Sequence, residues 1–320
     1  MLSRSANDLF WMSRHVERAE NIARMLDITY RMSLLPYRVA EGGETWAEPW
    51  ALPLVITGLA TKYYEKIPLL SPEQVIRYMV IDPENSSSIY SLLQSARENA
   101  RGQRGAISSE IWESINATWL EVRELSYERL LERGVSEVFD WVKTRSHLFR
   151  GVTVGTMGRD EGFHFTRLGT HLERADNTAR ILDVKYHTLL PTVNDVGGAV
   201  DYYQWGSLLR SVGAFESYRK IYREAITPFR VAELLILRLD MPRSLHFCMA
   251  EVFTTLCGLA PDDRLEPERL AGEIHSQLHY GRIKQVFEIG LHEYLMAFLT
   301  RIDALNSEIN KHFLAPDYAP

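Results

Sequence analysis

The sequence predicts an all-α fold, a pseudo-symmetric helical bundle built from two repeated halves. Three observations predict it: a polar stretch that occurs twice, helical periodicity in both copies, and the absence of turn-bounded alternation that would mark strands. Residues 15–30 read HVERAENIARMLDITY and residues 171–186 read HLERADNTARILDVKY, with ten of sixteen positions identical. Core packing fixes apolar positions and leaves surface charge free to drift. A repeat kept in Glu17/Glu173, Arg18/Arg174, Asn21/Asn177 and Arg24/Arg180 therefore points to a shared polar task.

The repeat reaches beyond these helices. Leu34-Leu35-Pro36 matches Leu189-Leu190-Pro191, Gly42-Gly43 matches Gly197-Gly198, and Trp50 and Gly58 match Trp205 and Gly213. Ser71-Pro72 and Ser88 match Thr227-Pro228 and Ser244. Gly134, Val138, Phe139 and Asp140 fall opposite Gly281, Val286, Phe287 and Glu288, so the offset of about 155 shortens to about 148 near the end. A unit this long exceeds the ~20–50 residues of a solenoid repeat. The expected division is residues 1–150 and 151–320, joined as one pseudo-twofold unit around a shared polar site.

Helical signals run along the chain in order. His15, Ala19, Ile22, Leu26 and Tyr30 share one helix face, as do His171, Ala175, Thr178, Leu182 and Tyr186. Ser71-Pro72-Glu73-Gln74 offers an N-cap, a first-turn proline and a capping-box partner, and Thr227-Pro228 opens the matching helix. Asp82-Pro83 and Met241-Pro242 each end a helix, and the serines that follow start the next. Ser108-Ser109-Glu110 starts another. Breakers lie at 36–49, 191–201 and 151–162; the last, with Gly151, Gly155, Gly158 and Gly162, reads as a flexible connection between halves. About five helices per half are expected.

Composition excludes several classes of function. The 320 residues are 46% hydrophobic with net charge −6, so a large core is available and a basic nucleic-acid footprint is not. No apolar run of ~18 residues spans a membrane, and MLSRSANDLFW lacks the apolar core of a secretory signal. Cys248 and Cys257, in an apolar helical stretch, read as core residues in a reducing compartment, and the expected location is cytoplasmic.

Several polar constellations carry possible chemistry. Glu17, Asn21 and Arg24 form one stripe, repeated by Glu173, Asn177 and Arg180, opposite the apolar face. Glu20→Arg24 and Asp176→Arg180 have the favourable order for exposed i, i+4 pairs. Glu17 has no cation at i+4, so its partner comes from elsewhere, an arginine of the other half being one candidate. The stripes are either a buried network that sets helix register or a polar floor for an amine and a carboxylate or phosphate. Arg97, Arg101 and Arg104 share a second face, answered either by acidic neighbours or by an anionic ligand. Glu161 and His164 make a single Glu-x-x-His where a di-iron bundle needs two. His275/His279 and Glu288/His292 have i, i+4 spacing, which chance often produces on helix surfaces, and no metal is expected. No Walker loop, dinucleotide fingerprint or nucleophile elbow occurs, so no cofactor is expected.

HVERAENIARMLD, HLERADNTARILD and RENARGQRGAISSEIWESIN resemble the characteristic runs of the bacterial alpha-E family, across essentially the whole chain. The resemblance maps the family's Glu-Arg pair onto Glu17-Arg18 and Glu173-Arg174. It implies the company of a circularly permuted ATP-grasp protein, and often of a transglutaminase-like cysteine peptidase. On that basis the leading expectation is an accessory subunit of an amide or peptide ligase, with ATP chemistry in the partner. In this reading Arg18, Asn21, Arg24, Arg97, Arg101, Arg104, Arg174, Asn177 and Arg180 bind substrate or partner anions. A stand-alone enzyme with Glu17 and Glu173 as acid and base, and a purely architectural scaffold, are the alternatives.

Overall fold

The computed structural model describes residues 1–34, 49–188, 199–260 and 265–315. The matches at Leu35-Pro36, Gly42-Gly43, 189–191 and 197–198 lie outside these residues. Sixteen α-helices and no strand occur among the described residues. The first half holds α1 (Ser3–Ser33), α2 (Ala51–Ile56), α3 (Ala60–Lys66), α4 (Pro72–Ile76), α5 (Ile89–Gly102), α6 (Ser109–Val122), α7 (Tyr127–Arg133) and α8 (Val135–Thr156). The second holds α9 (Glu161–Thr188), α10 (Ala199–Ser211), α11 (Phe215–Tyr222), α12 (Pro228–Ile236), α13 (Leu245–Leu259), α14 (Glu266–Tyr280), α15 (Ile283–Ile289) and α16 (Leu291–Ile309). Each half thus contains more helices than the sequence pattern resolves, because segments as short as α2, α3 and α7 are too brief to show a period.

Local chemistry sets the boundaries. Ser71 and Thr227 accept hydrogen bonds from the amides of Gln74 and Arg230, and Pro72 and Pro228 occupy the first turn. Ser88, Ser108 and Ser244 cap α5, α6 and α13 in the same way. Tyr63 donates to the Leu69 carbonyl at 3.0 Å, and Tyr218 to the Ala225 carbonyl at 2.9 Å. Gly58 and Gly213 take left-handed φ values of 68° and 65°, and Gly134 and Gly290 take 95° and 104° at the starts of α8 and α16.

Two sequence expectations are corrected. Gly134 resembles Gly290 rather than Gly281: Gly134 and Gly290 each precede a helix with φ of 95° and 104°, whereas Gly281 follows α14 with φ of −65°. The glycine-rich stretch is not a flexible connection over its length. Gly151 and Gly155 lie within α8 and Gly162 within α9, leaving only residues 157–160 between them. Interior hydrogen bonds hold these glycines in helix against their weak propensity.

The two longest helices, α1 and α9, form the centre. Around α1 pack α5 and α8, with α6 between them, and around α9 pack α13 and α16, with α14 against both. Contacts climb together along the central pair, from Leu9 beside Gly162, through Phe10 and Ser13 at Gly169, to Arg18 at Glu173. The helices therefore run the same way. They come closest at Gly169, where any Cβ would overlap the Phe10 carbonyl oxygen and Ser13 Oγ. Because α1 is surrounded, its polar stripe is buried along with its apolar face.

Candidate functional site

The Glu-Arg motifs meet each other across the central pair. Arg174 donates through Nε to Glu17 Oε1 at 3.0 Å and through Nη2 to Oε2 at 2.9 Å. Arg18 donates to Glu173 Oε1 and Oε2 at 2.5 and 2.8 Å. Each motif's glutamate is thus held in a two-pronged fork by the other motif's arginine, the geometry in which guanidinium and carboxylate match best. Glu17 is 1% exposed and Glu173 is also buried, whereas the Arg18 side chain keeps 32% of its surface in solvent.

The two forks are set in different surroundings. Beside Glu173, among the described residues, Arg14 is the further donor, from Nε at 2.9 Å. Around Glu17 a larger cluster gathers. Arg243 Nη1 lies 3.0 Å from Glu17 and donates to Asn21 Oδ1 at 2.9 Å, while its Nη2 donates to Glu20 at 2.7 Å. Arg150 bridges Glu17 and Glu20, Ser146 donates to Glu20 at 2.7 Å, and Arg24 donates to Glu20 at 2.7 Å. The Glu20–Arg24 pair expected at the surface is therefore part of the interior, because α8 and Arg243 cover it. Its counterpart, Asp176–Arg180, stays at the periphery with bonds of 2.8 and 3.0 Å. Asn177 is buried on the same helix.

Electrostatics follow from this packing. Burial pushes the Glu17 carboxyl up, but Arg174, Arg243 and Arg150 outweigh it and hold it at about 2. Burial opposes ionisation of Glu173 as well, and Arg18 and Arg14 hold it at about 2. Glu20 lies well below the ordinary range, where Arg243, the His147 hydrogen bond, Arg150 and Arg24 overcome burial. Burial pulls the Arg243 guanidinium below its ordinary value while Glu17 and Glu20 raise it; a guanidinium stays charged at physiological pH either way. All three carboxylates are fixed anions.

A cleft of about 170 Å³ borders this network between α8, α9 and the start of α13. Arg150 and Arg174 belong to both network and cleft, and Arg167, Thr153, Thr166, Thr170 and His171 complete its polar wall. Burial, Arg174 and Arg167 keep His171 neutral, and its Nδ1 has no hydrogen-bond partner. The space suits a carboxylate- or phosphate-sized group and is below the ~300 Å³ of an ordinary small-molecule pocket.

Arg97, Arg101 and Arg104 form a separate group. Arg104 lies in the turn after α5, and Arg97 and Arg104 both stand over the Trp112 ring at 5.6 and 4.9 Å. Arg97 donates to Asn116 at 3.1 Å, and Glu98 pairs with Arg97 and Arg101. Local partners on α5 and α6 thus answer this basic face, and none of the three pairs with Glu17, Glu20 or Glu173 among the described residues. Sequence reasoning missed Arg14, Arg150 and Arg243. Arg14 belongs to α1 but outside the repeated stretch, and Arg243 lies in a turn where helical spacing gives no signal.

The family profile described as a predicted alpha-helical domain with a conserved ER motif matches residues 1–314. The chain belongs to the Alpha-E family. In this chain the Glu17-Arg18 and Glu173-Arg174 pairs form the two crossed forks. Similar curated proteins are uncharacterized proteins of Mycobacterium bovis and of Mycobacterium tuberculosis, each 24% identical over 94% of this chain and 35% of their own length. This Alpha-E chain spans about a third of the length of those relatives. No solved structure matches it.

Proposed function

We propose that this Alpha-E protein is an accessory helical subunit of an ATP-grasp-type amide or peptide ligase system. Its Glu-Arg helices form a permanent internal lock that joins two halves into one pseudo-twofold unit. The crossed forks are the observation that carries this reading. A general acid or base needs a pKa near the working pH and a path to the reacting proton. Glu17 and Glu173 sit at about 2 and are closed off by arginines. The alternative in which they act as acid and base is disfavoured for the same reason. With Arg18 and Arg174 committed to the forks, the groups left for an anionic substrate or partner are those on the cleft and on the outer face, including Arg97, Arg101, Arg104 and Arg180.

The length of the mycobacterial relatives supports a module that works beside other domains, since nearly two-thirds of each lies outside the match. The family's association with ATP-grasp proteins names the partner class, a transglutaminase-like peptidase is a second candidate, and a cytoplasmic location follows from ATP-dependent chemistry. No described helix is long and apolar enough to cross a membrane. The test mixes the purified chain with the circularly permuted ATP-grasp protein, ATP and a panel of amino acids and peptides. Co-elution on size exclusion, with phosphate release that depends on this chain, is expected. Neither co-elution nor any change in turnover would leave only the architectural scaffold.

A further inference from the structure

The packed pair α13 and α14 holds a group of histidines remote in sequence from the motif. His246 opens α13, and His275 and His279 stand one turn apart near the end of α14. One ligand nitrogen from each lies within 4.8 Å of the other two. Ring centroids are 5.6 Å apart for His246 and His275, 5.4 Å for His246 and His279, and 5.7 Å for the α14 pair.

The state of His246 is the informative detail. It is 4% exposed, and its Nδ1 lies 2.8 Å from the Leu237 carbonyl oxygen. A carbonyl only accepts, so Nδ1 carries the hydrogen and Nε2 carries a lone pair. That Nε2 is buried and has no partner. Leaving a buried acceptor unmet costs free energy, and the tautomer fixed by a backbone carbonyl on the opposite nitrogen is the arrangement that orients metal-binding imidazoles.

The other half of the chain shows what plain packing does at these positions. The offset of 156 relates buried Ile111, Ile115 and Val122 of α6 to Pro267, Ala271 and Leu278 of α14. It places Tyr90 opposite His246, Trp119 opposite His275 and Arg123 opposite His279. Tyr90 and Trp119 simply pack edge to face at 5.0 Å. The second half has three imidazoles in place of that aromatic pair and its neighbouring cation, and they present three nitrogen donors to one point.

We propose that His246, His275 and His279 form a binding site for one divalent transition-metal ion of the borderline class, zinc first. Three imidazoles leave a fourth position for water or for a donor from a partner. Around a tetrahedral ion with Zn–N bonds of ~2.1 Å the nitrogens stand ~3.4 Å apart. Rotation of the exposed His279 side chain towards the fixed His246 closes the gap from 4.8 Å. The sequence alone pairs His275 with His279 and gives no sign of His246, which lies 29 positions earlier on another helix.

The test uses full-length protein made without a polyhistidine tag and stripped with a chelator. Cobalt(II) is titrated as a spectroscopic probe and zinc by calorimetry. One equivalent is expected to bind, with tetrahedral cobalt absorption, and zinc is expected to raise Tm. His279→Ala, an exposed change that leaves the fold intact, should weaken binding beyond the ~10–100-fold typical of losing an outer-shell partner, and should abolish the Tm rise. His275→Gln should do the same. No saturable one-equivalent binding, or binding unchanged in both variants, overturns the proposal.

Discussion

Replacing Glu17 by glutamine removes one charge from the most enclosed part of the network. Arg174 and Arg243 would then be left inside the protein, 7% and 6% exposed, with Glu20 still pairing Arg243 and only the Pro242 carbonyl still bonding Arg174 among the described residues. Breaking a buried ion pair by removing one partner costs about 3–5 kcal/mol. At about 2 °C per kcal/mol, the lower end for larger domains, Tm should fall by about 6–10 °C. Glu173→Gln should cost less, because Arg18 already reaches solvent and can hydrate its freed guanidinium. Removing both members, Glu17→Gln with Arg174→Met, should recover part of the loss, with a coupling of at least about 1 kcal/mol between the two changes. Thermal and urea unfolding followed by circular dichroism measure the wild type, Glu17→Gln, Arg174→Met, their double variant and Glu173→Gln. The reasoning is refuted if Glu17→Gln melts with the wild type, or if the two single changes simply add.

Three further outcomes follow from the same structure. The carboxyls of Glu17 and Glu173 are depressed in the folded state from an ordinary 4.5 to about 2, so their stabilisation is complete above pH 4.5 and drains as pH falls towards 2; urea midpoints between pH 6 and 2.5 should fall steeply below 4.5, and a flat profile there would contradict the ion-pair assignment. Gly169→Ala should destabilise by about 1–3 kcal/mol or more, since its methyl overlaps the Phe10 backbone at the closest approach of α1 and α9; an unchanged Tm would show that the helices are not so close. Burial raises the Cys248 thiol to about 12, so Cys248 should resist Ellman's reagent in the folded protein and react once urea unfolds it; rapid modification of Cys248 in the native state would contradict its burial.

Much of the architecture is legible in the sequence because capping residues act locally. Ser71, Ser88, Ser108, Thr227 and Ser244 mark helix starts with their own side chains, and the structure finds each bonded as a cap. The missing cation at i+4 leaves the partner of Glu17 to come from elsewhere, with an arginine of the other half as one candidate, and Arg174 is the residue found there. Three-dimensional packing decides what the pattern leaves open. Glu20 reads as a surface residue until α8 and the turn at Arg243 cover it, and a hydrophobic stripe says nothing about a helix enclosed on every side. Arg243 and His246 contribute to sites only because the turn after α12 folds back onto α1 and α14 packs on α13. No spacing rule within one helix reports such long-range placements.

The most direct test of the central claim, that the Glu-Arg motif locks the fold and does no chemistry, is ATP-dependent phosphate release by the ATP-grasp protein proposed above as its partner, in the presence of this chain or its Glu173→Gln variant. Glu173→Gln is the milder lesion, and circular dichroism confirms its folding beforehand. The account predicts the same turnover from the folded variant as from wild type. Loss of turnover in a variant that keeps its fold and its binding to the partner would contradict it and return Glu173 to the chemistry.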